Sequence, residues 1–306
     1  MSIQADQRGS DRLPSRSLTE GFFTPDHEAY RDTVREFLRR EVVPHYDTWE
    51  RDRLVSREAW RSAGNSGIIG LSVPEEFGGA GEPDYRYRVV VGEEIAAAAV
   101  TSFGMGLTVQ DDLVLPYLLD LADDEQKSRW LPGLASGELI GAIAMTEPDA
   151  GSDLQAIRTT GTSSSGDWIL NGQKTFISNG VQADLVIVFV RTADAGSRSF
   201  SLIVVERGMA GFDRGRKLDK VGLAAQDTAE LFFHQVAVPA ENLLGDPGAG
   251  FGYLMERLAK ERLSIAVAAL TAAQASLVET TEFVFQRSAF GKRVGDFQHS
   301  RFVLAE

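Results

Sequence analysis

The 306-residue chain has no cysteine, which excludes disulfides, thiol nucleophiles and cysteine metal sites together. Its four histidines, His27, His45, His234 and His299, stand at no ligand-like spacing, so the sequence offers no metal centre. It also has no excess of positive charge. The 31 Lys and Arg against 44 Asp and Glu leave a net charge of −13, which argues against general attraction to nucleic acid or anionic membranes. An anionic ligand must therefore be met by local groups. No run of eighteen uninterrupted apolar residues occurs, and the opening MSIQADQRGSDRLPSRSLTE has no apolar signal core. The expectation is a cytoplasmic protein with no membrane insertion and a disordered tail over residues 1–20.

What is present is 43% hydrophobic residues, enough for a sizeable core in two or three units. From Thr24 to about Ser136 the pattern is mostly helical. In TPDHEAYRDTVREFLRREVVPHY, Tyr30, Val34, Phe37, Leu38 and Val42 keep helical spacing, with Pro44 near the helix end. SGIIGLSVPEEFGGAG reads as a connector, and in the later helical stretches Pro116 marks a helix start or kink. From about residue 140, WILNGQKTFISNG, DLVIVFVRT, FSLIVVERG and AELFFHQVAVP read as strands, with Asn171 and Gly172 as a tight turn between two runs. After Pro239 a loop leads into a long helical pattern, FGYLMERLAKERLSIAVAALTAAQASLVETTEFVFQ, then the loop RSAFGKRVGDFQ and another helix. The fold class is α+β: an all-α domain over residues 21–140, a middle antiparallel β domain over 141–248, and a C-terminal helical-bundle domain from 249 to 306. The closing HSRFVLAE carries no helix stop signal, so the bundle is expected to be incomplete within these residues.

Five stretches are weighed for chemical content, each with a plainer reading beside it. GAIAMTEPDAGSD, residues 141–153, is rich in turn formers, yet its glycine, Thr146 and Ser152 would let backbone and hydroxyls approach a planar or phosphorylated ligand. In NGQKTFISNG, Phe176 and Ser178 share a strand face, so a ring could stack while a hydroxyl bonds its edge, although a strand Phe is more often core. In RSAFGKRVGDFQ, Arg287, Phe290 and Gln298 suit phosphate and adenine contacts, or make a solvated loop. VPAENLLGDPGAGFGYL supplies Gly248 and Gly250 of a dinucleotide fingerprint, but Tyr253 stands at the third position and no βαβ alternation precedes it, which argues against a Rossmann site.

The fifth stretch is LAKERLSIAVAAL, residues 258–270. Glu261 and Arg262 fall on or beside a stripe with Leu258, Ile265, Ala268 and Ala269. A carboxylate there would have its pKa raised by desolvation, which suits a general base. Alternatively Arg257 with Glu261, and Glu256 with Lys260, pair four residues apart on a helix surface. Spacing leaves the two readings level.

Taken in order, EEFGGAG, DDEQKSRWLPGLASGE, AMTEPDAGSD, NGQKTFISNG, VGLAAQDTAELFFHQVAVPAENLLG, LAKERL and RSAFGKRVGDFQ resemble the acyl-CoA dehydrogenase family from about Thr24 to the last residue. The resemblance implies an oxidoreductase of fatty acid metabolism with FAD between domains and subunits, usually in a homotetramer. It implies that Met145, Thr146, Ile177 and Ser178 hold the flavin ring, with Phe176 where many relatives carry tryptophan. It further implies Ser152 on flavin and substrate arm, Arg262 on substrate, and Arg287, Phe290 and Gln298 on the diphosphate or adenosine half across a subunit interface. LAAQD departs from the commoner serine before the Asp-Thr pair, and no role is transferred to Gln226.

The family carries its catalytic glutamate either on a later loop or, in isovaleryl and long-chain types, at the position of Glu261. The implied reaction is removal of the α-proton of an acyl thioester by Glu261, with hydride transfer from the β-carbon to the flavin, and electron-transfer flavoprotein as acceptor. Hydrogen bonds to the thioester carbonyl would stabilise the developing enolate. An acyl-carrier-protein-linked dehydrogenase, a flavin monooxygenase or oxidase of the same architecture, and a non-catalytic flavin or acyl-thioester-binding subunit are the alternatives.

Overall fold

The computed structural model describes residues 21–192 and 199–306, so the tail expected over residues 1–20 lies outside it. The first helix, α1 (Pro25–Phe37), starts where its sequence says it should. Pro25 fixes the first turn, and the Thr24 backbone N–H donates to His27 Nδ1 at 3.2 Å. Instead of ending at Pro44, the helix passes through a π segment, Leu38–Val42, into α2 (Val43–Asp52). After α3 (Arg57–Asn65), α4 (Arg86–Ala97) and α5 (Thr101–Thr108), the same device recurs: a π segment, Val109–Val114, precedes α6 (Leu115–Leu121) with Pro116 in its first turn. Proline has no N–H and crowds the carbonyl four residues back, and a widened turn before it absorbs both defects. Helix α7 (Asp124–Ala135) begins at a reciprocal cap, in which Gln126 N–H donates to Asp123 Oδ1 at 2.8 Å and Asp123 N–H to Gln126 Oε1 at 3.0 Å.

The sheet begins with β1 (Gly141–Ala144), followed by β2 (Thr160–Ser164), β3 (Asp167–Ser178), β4 (Leu185–Arg191), β5 (Phe200–Glu206), β6 (Phe212–Lys217), β7 (Thr228–Pro239) and β8 (Leu243–Leu244). Its order is β6-β7-β3-β2-β4-β5-β8, with β1 lying beside β4. Most pairs are antiparallel, as expected, but β1 runs parallel to β4 from Gly141 opposite Leu185 to Ala144 opposite Val188. That pairing turns the first part of the 141–153 connector into a buried central strand.

Asn171 and Gly172 are not a hairpin turn. They lie inside β3, where the pairing with β7 shifts register between Leu170 and Gly172. A Cβ on Gly172 would come within 2.5 Å of Thr159 Oγ1, so a bulge with glycine is what fits there. The turn falls instead at Ser165 and Gly166, whose φ of 53° and 94° give the two-residue hairpin between β2 and β3.

Helix α8 (Gly250–Gln286) is 37 residues long, about 56 Å, and packs along α4. Among the described residues it is the one helix long and apolar enough, by length and composition, to cross a membrane. Its inward stripe is nevertheless mixed rather than apolar: Ser264 and Thr271 are buried beside Leu254 and Val284, and Glu261 is half-buried on the same side, while Leu263, Ile265, Leu270 and Leu277 are exposed. Ile265 and Ala269 thus lie off the buried stripe to which spacing assigned them. A short hairpin, β9 (Ser288–Ala289) and β10 (Lys292–Arg293), leads to α9 (Gln298–Ala305).

Candidate active site

The end of β3 is where strand alternation breaks. By period two, Lys174, Phe176 and Ser178 would share one face. A second register shift, between Lys174 and Ile177, inserts an extra residue against β7, so Lys174 turns inward and Phe176 outward. Phe176 is 69% exposed and its φ is +59°, a left-handed backbone that a bulky residue rarely adopts. It is not core. Ile177 is buried and Ser178 half-buried, on alternating sides.

Thr146 joins this edge from the β1 side. Thr175 N–H donates to its carbonyl at 2.9 Å, and its own hydroxyl donates to the Thr175 carbonyl at 2.5 Å. Met145, Thr146, Phe176, Ile177 and Ser178 are therefore brought together, with Ser152 exposed further along the same loop. An exposed, strained phenyl ring beside a threonine and a serine fits a flat ring system with polar edges, which is the shape and chemistry of a flavin.

Behind this edge stands an ion pair invisible in the sequence. Lys174 Nζ lies 2.9 Å from Glu147 Oε1 and donates to the Met145 carbonyl at 2.8 Å. Burial pushes the lysine down to about 8 against the pull of Glu147. Burial also acts to raise Glu147, but Lys174 and the hydrogen bonds from Thr159 and Arg158 outweigh it and hold the carboxyl below its ordinary value. A cavity of about 450 Å³ lined by Glu147, Arg158, Asn171 and His234 opens on the other side of the loop and includes neither Phe176 nor Glu261.

Glu261 and Arg262 part company. Arg262 is exposed, whereas Glu261 faces α6, where Tyr117 OH donates to Oε1 at 3.0 Å. Burial raises the Glu261 pKa, and the Tyr117 hydrogen bond, Arg257 and Arg262 recover only part of the rise. Tyr117 is buried and stays protonated, its own pKa raised by burial and then by the Glu261 charge. Arg257 does not pair with Glu261. It bridges to Asp120 at 3.0 Å, and its guanidinium lies 5.0 Å from the Tyr117 ring centroid. A half-buried carboxylate oriented by one phenol can accept a weakly acidic proton.

Sequence reasoning missed Tyr117, Lys174 and Glu147, and gave Arg257 the wrong partner. The available signal was a tyrosine inside the apolar run LVLPYLLDL, since a buried phenol needs a polar partner.

Arg287, Phe290 and Gln298 stand apart from this group. Arg287 follows α8 directly, 26 residues beyond Glu261, or roughly 39 Å along a helix. Phe290 and Gly291, at φ of 54° and 76°, form the tip of the β9–β10 hairpin, and Phe290 is 97% exposed. Arg287 and Gln298 are exposed as well. Gln226, buried, holds its own loop by accepting from Lys220 Nζ at 2.7 Å and from Thr228 Oγ1 at 2.9 Å.

Comparison with known proteins defines the class. The models of the acyl-CoA dehydrogenase N-terminal, middle and C-terminal domains match residues 24–138, 142–236 and 248–306. The chain belongs to the acyl-CoA dehydrogenase family, a family of oxidoreductases. It is 45% identical to the mitochondrial long-chain specific acyl-CoA dehydrogenase of Sus scrofa, over 97% of this chain and 71% of the relative. To the mitochondrial isovaleryl-CoA dehydrogenase of Solanum tuberosum it is 36% identical, over 94% and 70%. The crystal structure of acyl-CoA dehydrogenase from Geobacillus kaustophilus superposes with a TM-score of 0.89 at 47% identity, covering 93% of this chain and 75% of that one. Across the long-chain relatives the chain spans 66% to 71% of their length.

Proposed function

We propose that the protein catalyses FAD-dependent α,β-dehydrogenation of an acyl-CoA thioester to the trans-2-enoyl thioester, with Glu261 as the base. The observation that carries this reading is the half-buried Glu261 carboxylate, 3.0 Å from Tyr117 OH on the inner side of α8. Burial makes the carboxylate a stronger base than a solvated one, and the Tyr117 hydrogen bond keeps it ionised and aimed. FAD, when bound, supplies the hydride acceptor.

Phe176 would cover one face of the flavin ring, while Thr146, Ser178 and the backbone of Met145 and Ile177 meet its edge. Ser152 and Arg262, both exposed, would meet the substrate. Arg287, Phe290 and Gln298 lie at or beyond the end of α8 remote from Glu261, and this reading gives them to the cofactor of a second copy in a homo-oligomer, proposed as a tetramer. The same reading takes α8 as a bundle helix rather than a membrane span. Electron-transfer flavoprotein is the proposed acceptor, and the cytoplasm the proposed location; the mitochondrial labels belong to the relatives.

The test is anaerobic mixing of the FAD-loaded protein with acyl-CoAs of graded chain length while the flavin absorbance is followed. Wild type bleaches with at least one chain length and forms the enoyl product; Glu261→Gln does not. A wild type that never bleaches refutes the reading, as does equal bleaching by the variant.

A further inference from the structure

The side chain of Lys174 is wholly enclosed, and a buried cation is among the least favourable groups to place in a β domain. An apolar residue of similar size would fill the space at lower cost, so the charge is explained by what it holds. Its ammonium grips the Met145 carbonyl at 2.8 Å and Glu147 Oε1 at 2.9 Å. The next residue, Thr175, exchanges two hydrogen bonds with Thr146, and the one after is the strained Phe176.

Glu147 completes the junction from the other side. Its carboxylate accepts from the backbone N–H groups of Arg158 at 2.7 Å and Thr159 at 3.0 Å. Thr159 in turn is the residue against which the Gly172 bulge closes. One ion pair thus ties together the loop after β1, the start of β2 and both bulges of β3.

We propose that Lys174 and Glu147 are a positioning pair for the flavin: they fix the backbone of Met145 and Thr146 and the outward bulge of Phe176 as one preformed edge, without touching the cofactor. This rests on the proposed function, because the edge is the flavin-facing one in that reading. The pair acts through other residues, so its removal changes how tightly and in what environment the ring is held rather than which group takes the proton.

The test uses apoprotein titrated with FAD, reading the dissociation constant, the absorption spectrum of the bound flavin and the thermal midpoint. Lys174→Met alone strands the Glu147 charge and loses stability. In Lys174→Met with Glu147→Gln both charges are gone, and the glutamine oxygen still accepts from one of the Arg158 and Thr159 N–H groups, which meet different oxygens of the native carboxylate. That double variant regains thermal stability but binds FAD about tenfold more weakly, the scale of one lost charged hydrogen bond, with its bands shifted toward those of free flavin. A double variant with wild-type affinity and spectrum overturns the proposal and leaves the pair purely structural. If the double variant does not fold, Glu147→Gln alone carries the same comparison, and a wild-type affinity and spectrum there overturn it equally. A wild type that binds no FAD refutes the proposed function itself, and so is told apart from a failure of the pair.

Discussion

Strands β4 and β5 and helix α8 use apolar residues in opposite ways. In the strands, Val186, Ile187, Val188, Phe189 and Val190, and Leu202, Ile203, Val204 and Val205, are all fully buried. In α8 the leucines and isoleucine at 263, 265, 270 and 277 are exposed, and the inner stripe runs through Leu254, Glu261, Ser264 and Thr271. A strand buried on both faces has no choice of side, so hydrophobicity alone describes it. A helix has a choice, and α8 turns a carboxylate and hydroxyls inward. Buried polar groups are the informative ones, and in the proposed reading they mark the site. An outer apolar face of this kind suits packing against further helices or another copy.

The sharpest way to break this contrast is Glu261→Gln. Loss of a general base lowers the rate of flavin reduction by about 10³-fold, measured by anaerobic stopped flow. Stability should move the other way. Burial raises the Glu261 pKa in the folded state, so its contribution is present below the unfolded pKa and is lost as pH rises through the raised folded value. The glutamine variant therefore matches wild type in acid and is the more stable of the two at neutral pH, as denaturant unfolding at both pH values would show.

The contrast in packing is tested by one substitution made twice. Leu202→Ala in β5 should cost about 2–5 kcal/mol in denaturant unfolding, because a close-packed site cannot collapse around the lost atoms. Leu270→Ala, on the exposed face of α8, should fall within about 0.5 kcal/mol for the single chain. Equal costs would mean that α8 is covered as β5 is.

How much of this was legible in the sequence varies along the chain. The α, β, α order followed from periodicity, and the proposed cofactor edge and the proposed base Glu261 were suggested by the ordered family motifs. Lys174 was not legible, because an inserted residue in β3 inverts the alternation that would have placed it outside. Nor was the orientation of α8, since its apolar residues outnumber its buried ones. The widened turns before Pro44 and Pro116 and the bulge at Gly172 likewise depend on tertiary contacts that local propensity does not contain.

Smaller effects refine the site. Tyr117→Phe removes the hydrogen bond that lowers the Glu261 pKa, so the acid limb of the kcat/KM profile moves to higher pH, and the rate at neutral pH falls by about tenfold. Phe176→Asn relieves a left-handed backbone that asparagine tolerates, and should raise stability by about 0.5 kcal/mol while weakening FAD binding. A variant that gained both would show that the phenyl ring serves packing alone.

The role of Glu261 is tested most directly by exchange at the substrate carbon itself. With FAD-loaded protein in deuterated buffer, an acyl-CoA substrate is followed by mass spectrometry for deuterium entering at its α-carbon. Wild type is expected to exchange the α-hydrogens and Glu261→Gln to leave them in place. Exchange by the variant at the wild-type rate would contradict the assignment of Glu261 as the base.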